Sequence, residues 1–372
     1  MGRAAAARAM GRIVLHADFD HFYAQCEETR NPLLRAAPLV VCVFSGRGGD
    51  SGAVATANYV AREHGVGSGM AINLARRRLR DVPEARFLPV DFAFYEGVSA
   101  RAMEILRGHA DTFECVGRDE AYMDVTQRTS GDYGTARHVA QQVKNDVRSA
   151  LSLTCSVGVS PNRLVSKIAS AHQKPDGLTV VAPGDVEAFL GPLGVRKIPG
   201  LGKRAEEALE AAGVRTVADA RERSVFELSE VLGRRMGTYL RNASRGIDDE
   251  PVSERGPNVQ YSRIATLERD SVDAEFLAGA IPRLCADIHE SLAADARTFR
   301  SVGVLIIQAD MSTRSRSTTL RSATSSLGEM ERAAESLLRE ALESQEVPVR
   351  RLGVRVSDLG DAGGQSSMDD YA

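Results

Sequence analysis

GRDEAYMD, residues Gly117–Asp124, sets two carboxylates, Asp119 and Glu120, side by side in a stretch that otherwise reads as a strand, with Arg118 directly before them. Like charges this close repel, so the pair needs a counter-charge. A second acidic run, ADFD (Ala17–Asp20), closes the apolar run Ile13–Leu15, which suits a buried strand. If the two strands are neighbours, Asp18, Asp119 and Glu120 converge at one end of a sheet. Two Mg²⁺ ions would balance such a cluster, because Mg²⁺ prefers oxygen ligands and completes its octahedron with phosphates and water. Two metals held this way serve in-line displacement at phosphorus.

Outward from this pair, residues 12–182 read as an α+β block. Strands are expected at PLVVCVF, FECVGRDEAYMDVT and TCSVGVSPN. Helices are expected at GTARHVAQQVKNDVRSAL and at NRLVSKIASAHQKPDG, the latter stopped by Pro175 and Gly177. GAVATANYVAREHGV turns from small residues into a helix, on which Tyr59 and Arg62, three apart, share a face. With Lys174 they offer donors suited to a triphosphate, Arg as a fork and Lys as a point charge.

Residues 185–246 read as short helices joined by Gly-centred turns. In KIPGLGKRAEEALEAAGV, Gly200 and Gly202 bracket an apolar residue and a helix starts at once at Lys203. Such a helix–hairpin–helix turn exposes backbone N–H groups at a helix N-terminus, which favours a DNA phosphate. Beyond a polar connector, the order of elements is β-α-β-β-α-β, which predicts a four-stranded sheet backed by two helices. The last dozen residues are polar and are expected to be disordered.

Bulk properties narrow the class. A net charge of −3 does not announce a nucleic-acid binder, so charge has to be read locally. The five cysteines form no C-x-x-C pair, as in a reduced cytoplasmic protein without a zinc site. No run of 18 apolar residues predicts a membrane span. MGRAAAARAMGR is too weakly apolar for a secretory signal and reads as a ragged extension, with Met10 as an alternative start.

ADFDHFYAQCEE, GAVATANYVAREHGV, DEAYMDVT, CSVGVSPNRLVSKIAS…KPDG, IPGLGKR and RRLGVRVSDL, in order over nearly the whole chain, closely resemble the DinB (DNA polymerase IV) branch of the Y-family translesion DNA polymerases. The resemblance implies a right-hand architecture. The palm would be 12–21 and 88–182 and the fingers 22–87. A helical thumb would be 183–246, a linker 247–255 and a little finger 256–359. Residues 1–11 and 360–372 would be an N-terminal extension and a tail. It implies metal binding by Asp18, Asp119, Glu120 and the Phe19 carbonyl, with Mn²⁺ as a substitute for Mg²⁺. Phe22 would lie against the incoming sugar, and Tyr23 would be the steric gate against a ribose 2′-OH. Tyr59, Arg62 and Lys174 would hold the triphosphate, while Ala53, Ala55 and Thr56 would leave a roomy pocket for the base pair. The implied activity is low-fidelity, template-directed addition of a dNTP to a primer 3′-OH by a monomer bound to primer–template DNA.

Arg118 departs from the family, whose members usually carry an apolar residue there. Strand alternation points it away from Asp119, towards a face covered by palm helices. A guanidinium there must pair with a helix carboxylate or reach water, or else it disturbs the metal site. On this reading the palm is less stable than it would be with Ile. A catalytically impaired DNA-binding scaffold on the same fold is the alternative, and Arg118 is its support. A palm-type cyclic-nucleotide synthase would need no helix–hairpin–helix turn, Arg-lined last domain or steric-gate Tyr23.

Residues 255–359 hold fourteen Arg, no Lys and fifteen acidic residues. The Arg gather in or beside the predicted strands, so a face of Arg and Ser/Thr, as in STRSRSTT, can track phosphates without reading sequence. Arg314 and Arg316, on one strand face by alternation, and Arg351 are the candidate contacts. In the tail, Gln365, Met368 and Tyr371 have the spacing of a sliding-clamp-binding box, lacking its second aromatic.

Overall fold

The run Ile13–Leu15 is fully buried and opens β1 (Val14–Phe19), the middle strand of a five-stranded sheet. A computed structural model describes residues 11–254, 256–343 and 347–362, so Gln365, Met368 and Tyr371 lie outside the described residues. Its contacts form two units. The first runs to Cys42 and takes in Val54–Met70 and the chain from Leu74 to the connector. The second holds Val43–Ala53, Ala71–Asn73 and the chain from Gly256 on.

In the first unit, β1 is flanked by β6 (Glu120–Asp124) and β7 (Cys155–Ser160), with β5 (Thr112–Cys115) and β8 (Leu178–Val180) at the edges. Both neighbours of β1 are antiparallel to it. Alternation sorts the side chains of β1. Leu15, Ala17 and Phe19 join the core with α4 (Phe92–Gly108) and α5 (Tyr133–Leu151). Val14, His16 and Asp18 face the other way, where α6 (Arg163–His172) packs on β1 and β7. Gly158 permits that packing, since a Cβ there would overlap the backbone of Ser166 and Ser170.

The stretch Phe113–Thr126 is not one strand, as the sequence suggested. It is the hairpin β5–β6, and Val116–Asp119 form its connection, so Arg118 and Asp119 lie before the strand that carries Glu120. GAVATANYVAREHGV also departs from expectation. Residues Gly52–Ala57 form β3, and the helix α2 covers only Tyr59–Glu63, capped by the Asn58 side chain on the Ala61 amide. β3 joins β2 (Leu39–Phe44) and β4 (Arg86–Pro89) in a three-stranded sheet ordered β3-β2-β4. Short strand β4 and helices α1 (Phe22–Arg30) and α3 (Ile72–Arg78) complete this region.

Residues 186–243 fold into five short helices: α7 (Val186–Leu190), α8 (Lys203–Ala211), α9 (Val217–Glu222), α10 (Val225–Leu232) and α11 (Arg234–Ala243). Their core of Leu190, Ile198, Leu209 and Leu240 is continuous with Val165 and Ala169 of α6.

The second unit contains β9 (Gln260–Ser271), β10 (Arg297–Gln308), β11 (Thr313–Thr324) and β12 (Val349–Asp361), ordered β11-β10-β12-β9 and antiparallel throughout. α13 (Ile281–Ala294) and α14 (Leu327–Leu342) pack on one face. The first predicted helix is two, α12 (Ala274–Ala278) preceding α13, whose second residue is Pro282. Among the described residues no helix is long and apolar enough to cross a membrane.

Candidate active site

Register brings the carboxylates together. Asp18 on β1 stands directly opposite Glu120 on β6, and both point to the α6 side of the sheet. Such antiparallel partners hold their Cβ atoms about 5 Å apart. Asp119 arrives from the hairpin connection. Its carbonyl accepts the Phe19 amide at 2.8 Å, and the preceding carbonyl, that of Arg118, accepts the Ser99 hydroxyl at 2.7 Å. The turn is therefore pinned from both sides.

Two lysines meet this cluster. Lys174 pairs with Asp18 and lies 3.4 Å from the Phe19 carbonyl, while Lys167 of α6 pairs with Glu120. The fully buried His16 sets Nε2 3.3 Å from Glu120 Oε2, and its Nδ1 shares a 2.8 Å hydrogen bond with the Ser170 hydroxyl. His16 and Lys167 together hold the Glu120 carboxyl near a pKa of about 2. Burial lowers the His16 pKa. Asp119 goes the other way: burial, then the charges of Asp18 and Glu120, raise its pKa. One donor atom each from His16, Asp18 and Glu120 lie within 4.8 Å of one another, a spacing that could hold a metal ion. Oxygen ligands dominate the cluster, which fits a hard divalent cation.

Lys174 is delivered by a turn with its own buried support, which sequence reading missed. Asp20, fully buried, accepts the hydroxyls of Thr154 and Ser156 and the amide of Asp176, each at 2.8 Å. From α5, the buried Lys144 donates to the carbonyls of Asp176 and Gly177, and Arg148 pairs with Asp176. The second carboxylate of ADFD was the available signal. His16, Lys167 and Lys144 carried none, because an isolated His or Lys in a strand or helix has many bland explanations.

Beside the carboxylates lies a cleft of about 310 Å³, lined by Asp18, Phe19, Phe22, Tyr23, Thr56, Arg62, Asp119 and Lys174 among others. Tyr59 sits deeper. Its hydroxyl is buried without a hydrogen-bond partner among the described residues, and burial pushes its pKa up to about 12. The Arg62 guanidinium stacks over the Tyr59 ring at 4.8 Å, and its Nε donates to the Ala57 carbonyl. Of the residues assigned to the triphosphate, Arg62 and Lys174 reach the cleft, and Tyr59 backs Arg62. Phe22 is buried against Phe19 and Tyr23.

Arg118 turns away from the metal ligands. It pairs with Glu96 of α4 at 2.6 Å and is about half exposed. The predicted partner, a helix carboxylate, is found. The burial cost behind the expected destabilisation does not arise, since the guanidinium reaches water. Gly200, in the left-handed region with φ +86°, precedes Gly202, the uncapped N-cap of α8, and space beside both is open. Lys203 is exposed near Glu207.

In the second unit Arg314 and Arg316 do share a face, but not the open one. They stand opposite Ile306 and Val304, whose side chains enter the helix-backed core, and Arg316 lies 3.7 Å from Glu340 of α14. The open face carries Arg351 and Arg355, with Ser262, Thr313, Ser315 and Ser317 in matching register. Within STRSRSTT, Thr313, Ser315, Ser317 and Thr319 thus take the open face, and Arg314, Arg316 and Thr318 the other.

Comparison with known proteins agrees with this geometry. The impB/mucB/samB family model matches residues 17–171, the C-terminal domain model of the same family matches 259–369, and a DNA polymerase-iota thumb-domain model matches 196–248. The DNA polymerase IV of Nitrosopumilus maritimus is 52% identical over 360 residues, covering 97% of this chain and 99% of that protein. Two solved structures are 33% identical and each cover 94% of this chain and 99% of their own. One is a Y-family DNA polymerase chimera, Dbh-Dpo4(243-245)-Dbh, at a TM-score of 0.86. The other is an insertion ternary complex of Dbh DNA polymerase, at 0.68. With the palm sheet, the helical thumb and the four-stranded last domain in place, this chain belongs to the impB/mucB/samB family as a DinB-like Y-family DNA polymerase.

Proposed function

We propose that the chain extends a primer across damaged template by adding dNTPs at the cleft beside Asp18, Asp119 and Glu120. Family membership makes it a template-directed DNA polymerase that uses divalent metal. The finer assignments rest mainly on one observation, the register that sets Asp18 opposite Glu120 with Asp119 pinned beside them. These three carboxylates and the Phe19 carbonyl would hold two Mg²⁺ ions. Bound there, the ions would lower the pKa of the primer 3′-OH and neutralise the triphosphate. Arg62 and Lys174 bind the phosphates from the cleft, and Tyr59 holds the Arg62 guanidinium in place. Lys174, paired with Asp18 in the free protein, is already within reach of both charges it must serve. Tyr23 closes the sugar side of the cleft against a 2′-OH.

Primer–template DNA would be held by the Gly200–Gly202 turn with Lys203 and by Arg351 on the open sheet face of the second unit, whereas Arg314 and Arg316 lie on the helix-backed face. The family-model boundaries support a thumb of 183–246 and a little finger of 256–359. A monomeric, cytoplasmic protein with a clamp-binding tail at Gln365, Met368 and Tyr371 completes the reading.

Primer extension with Mg²⁺ on intact and lesion-containing templates tests it, with Asp119→Ala alongside. Extension that Asp119→Ala abolishes, while primer–template binding persists, supports the assignment. Extension that survives Asp119→Ala refutes it.

A further inference from the structure

Tyr23 has one firm side and one loose side. Its ring stacks on Tyr95 at 4.6 Å and 16°. Tyr95 is fully buried and donates its hydroxyl to Glu27 at 2.7 Å, so this support does not move. The other neighbour, Phe92, meets Tyr23 edge-on at 6.1 Å and is itself 41% exposed at the start of α4. Core packing thus fixes the tyrosine through Tyr95 and the buried Phe22, and leaves its Phe92 side to a partly exposed ring.

Arg118 occupies the loose side. Its guanidinium lies over the Phe92 ring at 5.2 Å and pairs with Glu96, one turn further along α4, at 2.6 Å. The main chain beneath it is held by Ser99 and Phe19, so the side chain starts from a fixed point. The Glu96 hydrogen bond raises the Arg118 pKa. Phe92 thus stands between Arg118 and Tyr23, with Glu96 holding the guanidinium over its ring. An apolar residue such as Ile at 118 could neither pair with Glu96 nor set a cation over Phe92.

We propose that Arg118 is a positioning residue for Tyr23, and that it sharpens this polymerase's discrimination against ribonucleotides. The inference rests on reading Tyr23 as the steric gate. Without Arg118 the partly exposed Phe92 ring loses the cation that holds it against the outer edge of the tyrosine, and the tyrosine gains room to swing from the sugar. A 2′-OH then meets less resistance, while a deoxyribose, which never touches that edge, is affected less.

The test is single-nucleotide insertion by the full chain, read as the ratio of kcat/KM for a ribonucleotide to that for its deoxy counterpart. Arg118→Ile, Arg118→Lys and Tyr23→Ala are compared with the parent, with melting temperature as a check on folding. Arg118→Ile should raise the ratio about three- to tenfold, the scale of one partly exposed hydrogen bond or cation–π contact. Arg118→Lys, which keeps a cation, should restore part of it. Tyr23→Ala should raise the ratio further than either. If Tyr23→Ala raises it and Arg118→Ile does not, the role of Arg118 is refuted and the gate stands. If Tyr23→Ala leaves the ratio unchanged, the gate reading fails and takes this inference with it. Equal losses for both sugars in Arg118→Ile would mark Arg118 as merely structural and overturn the proposal.

Discussion

Asp20 offers the sharpest test of how the site is built. Its carboxylate is fully buried, and the contacts that satisfy it are hydrogen bonds rather than a metal: two hydroxyls and one amide, all at 2.8 Å. Hydrogen bonds to a charged acceptor contribute about 1.5–3 kcal/mol each. Asp20→Ala removes all three, and rotation of the Thr154 and Ser156 hydroxyls recovers part. The net loss should be about 3–5 kcal/mol. For a unit of this size, about 2–4 °C accompanies each kcal/mol, so the melting temperature should fall by about 10 °C. Asp20→Asn behaves differently. One oxygen takes the Thr154 hydroxyl and the Asp176 amide, and the new NH₂ can donate to the Ser156 hydroxyl. The charge is lost and the Ser156 O–H must find another acceptor, about 1–3 kcal/mol. Both variants also loosen the turn that delivers Lys174, so the KM for dNTP should rise more in Ala than in Asn. Thermal melts followed by circular dichroism, with steady-state insertion, measure both effects. Asp20→Ala melting within about 2 °C of the parent, or Asp20→Asn being as damaging as Ala, would refute the reasoning.

His16→Phe keeps the bulk of the ring but removes the atom 3.3 Å from Glu120, so the Mg²⁺ concentration for half-maximal extension should rise about tenfold, as for other lost supports of a metal ligand. Direct titration of Mn²⁺ into the variant checks that the change is in metal affinity. Gly158→Ala drives a methyl into the backbone of α6 and should cost at least about 3 kcal/mol, seen as loss of soluble protein or a much lower melting temperature. Glu120 has a folded pKa of about 2 against an ordinary 4.5, so the stability it contributes is present above pH 4.5 and lost as pH falls towards 2. In the metal-free protein, the gap in melting temperature between the parent and Glu120→Gln should therefore shrink between pH 6 and pH 3. A constant gap would refute that assignment.

Much of this was legible in the sequence, for identifiable reasons. Short-period patterns survive without a partner, so the apolar start of β1, the end of α6 ahead of Pro175 and Gly177 and the β-α-β-β-α-β order, with its first helix split in two, emerged. DFD and DE could be joined because carboxylates in such numbers demand a shared counter-charge. Long-range register was not legible. The break at Val116–Asp119 has no Pro, and its lone Gly117 sits between residues that fit a strand, so the hairpin was read through. The arginines of STRSRSTT were read by alternation, which correctly put Arg314 and Arg316 together. Which side of the sheet they take depends on where α14 packs, and only the pairing of Arg316 with Val304 reveals that. Asp20 and His16 act through residues more than 100 positions away and Lys144 through a turn 32 positions on, and no local pattern marks such contacts.

The adjacent carboxylates now have an electrostatic account. Three negative charges meet two lysines, Lys174 on Asp18 and Lys167 on Glu120. Asp119 is left over, and its carboxyl is the one whose pKa is raised. The imbalance therefore sits on the residue in the hairpin connection, where backbone hydrogen bonds rather than a counter-ion hold it in position. A guanidinium next door could have cancelled that charge, and Arg118 is next door. It is drawn instead to Glu96 on the far side of the turn. Had Arg118 folded onto Asp119, the cluster would be neutral and its attraction for a divalent cation weaker. The pairing with Glu96 keeps the site one positive charge short. An Arg at position 118 is thus compatible with metal-dependent chemistry because α4 supplies its own acid, and Glu96→Gln should expose the arrangement. With Glu96 neutral, Arg118 is released towards Asp119, and the Mg²⁺ requirement for extension should rise. An unchanged requirement in Glu96→Gln would mean that the pinned turn, rather than Glu96, keeps the arginine away.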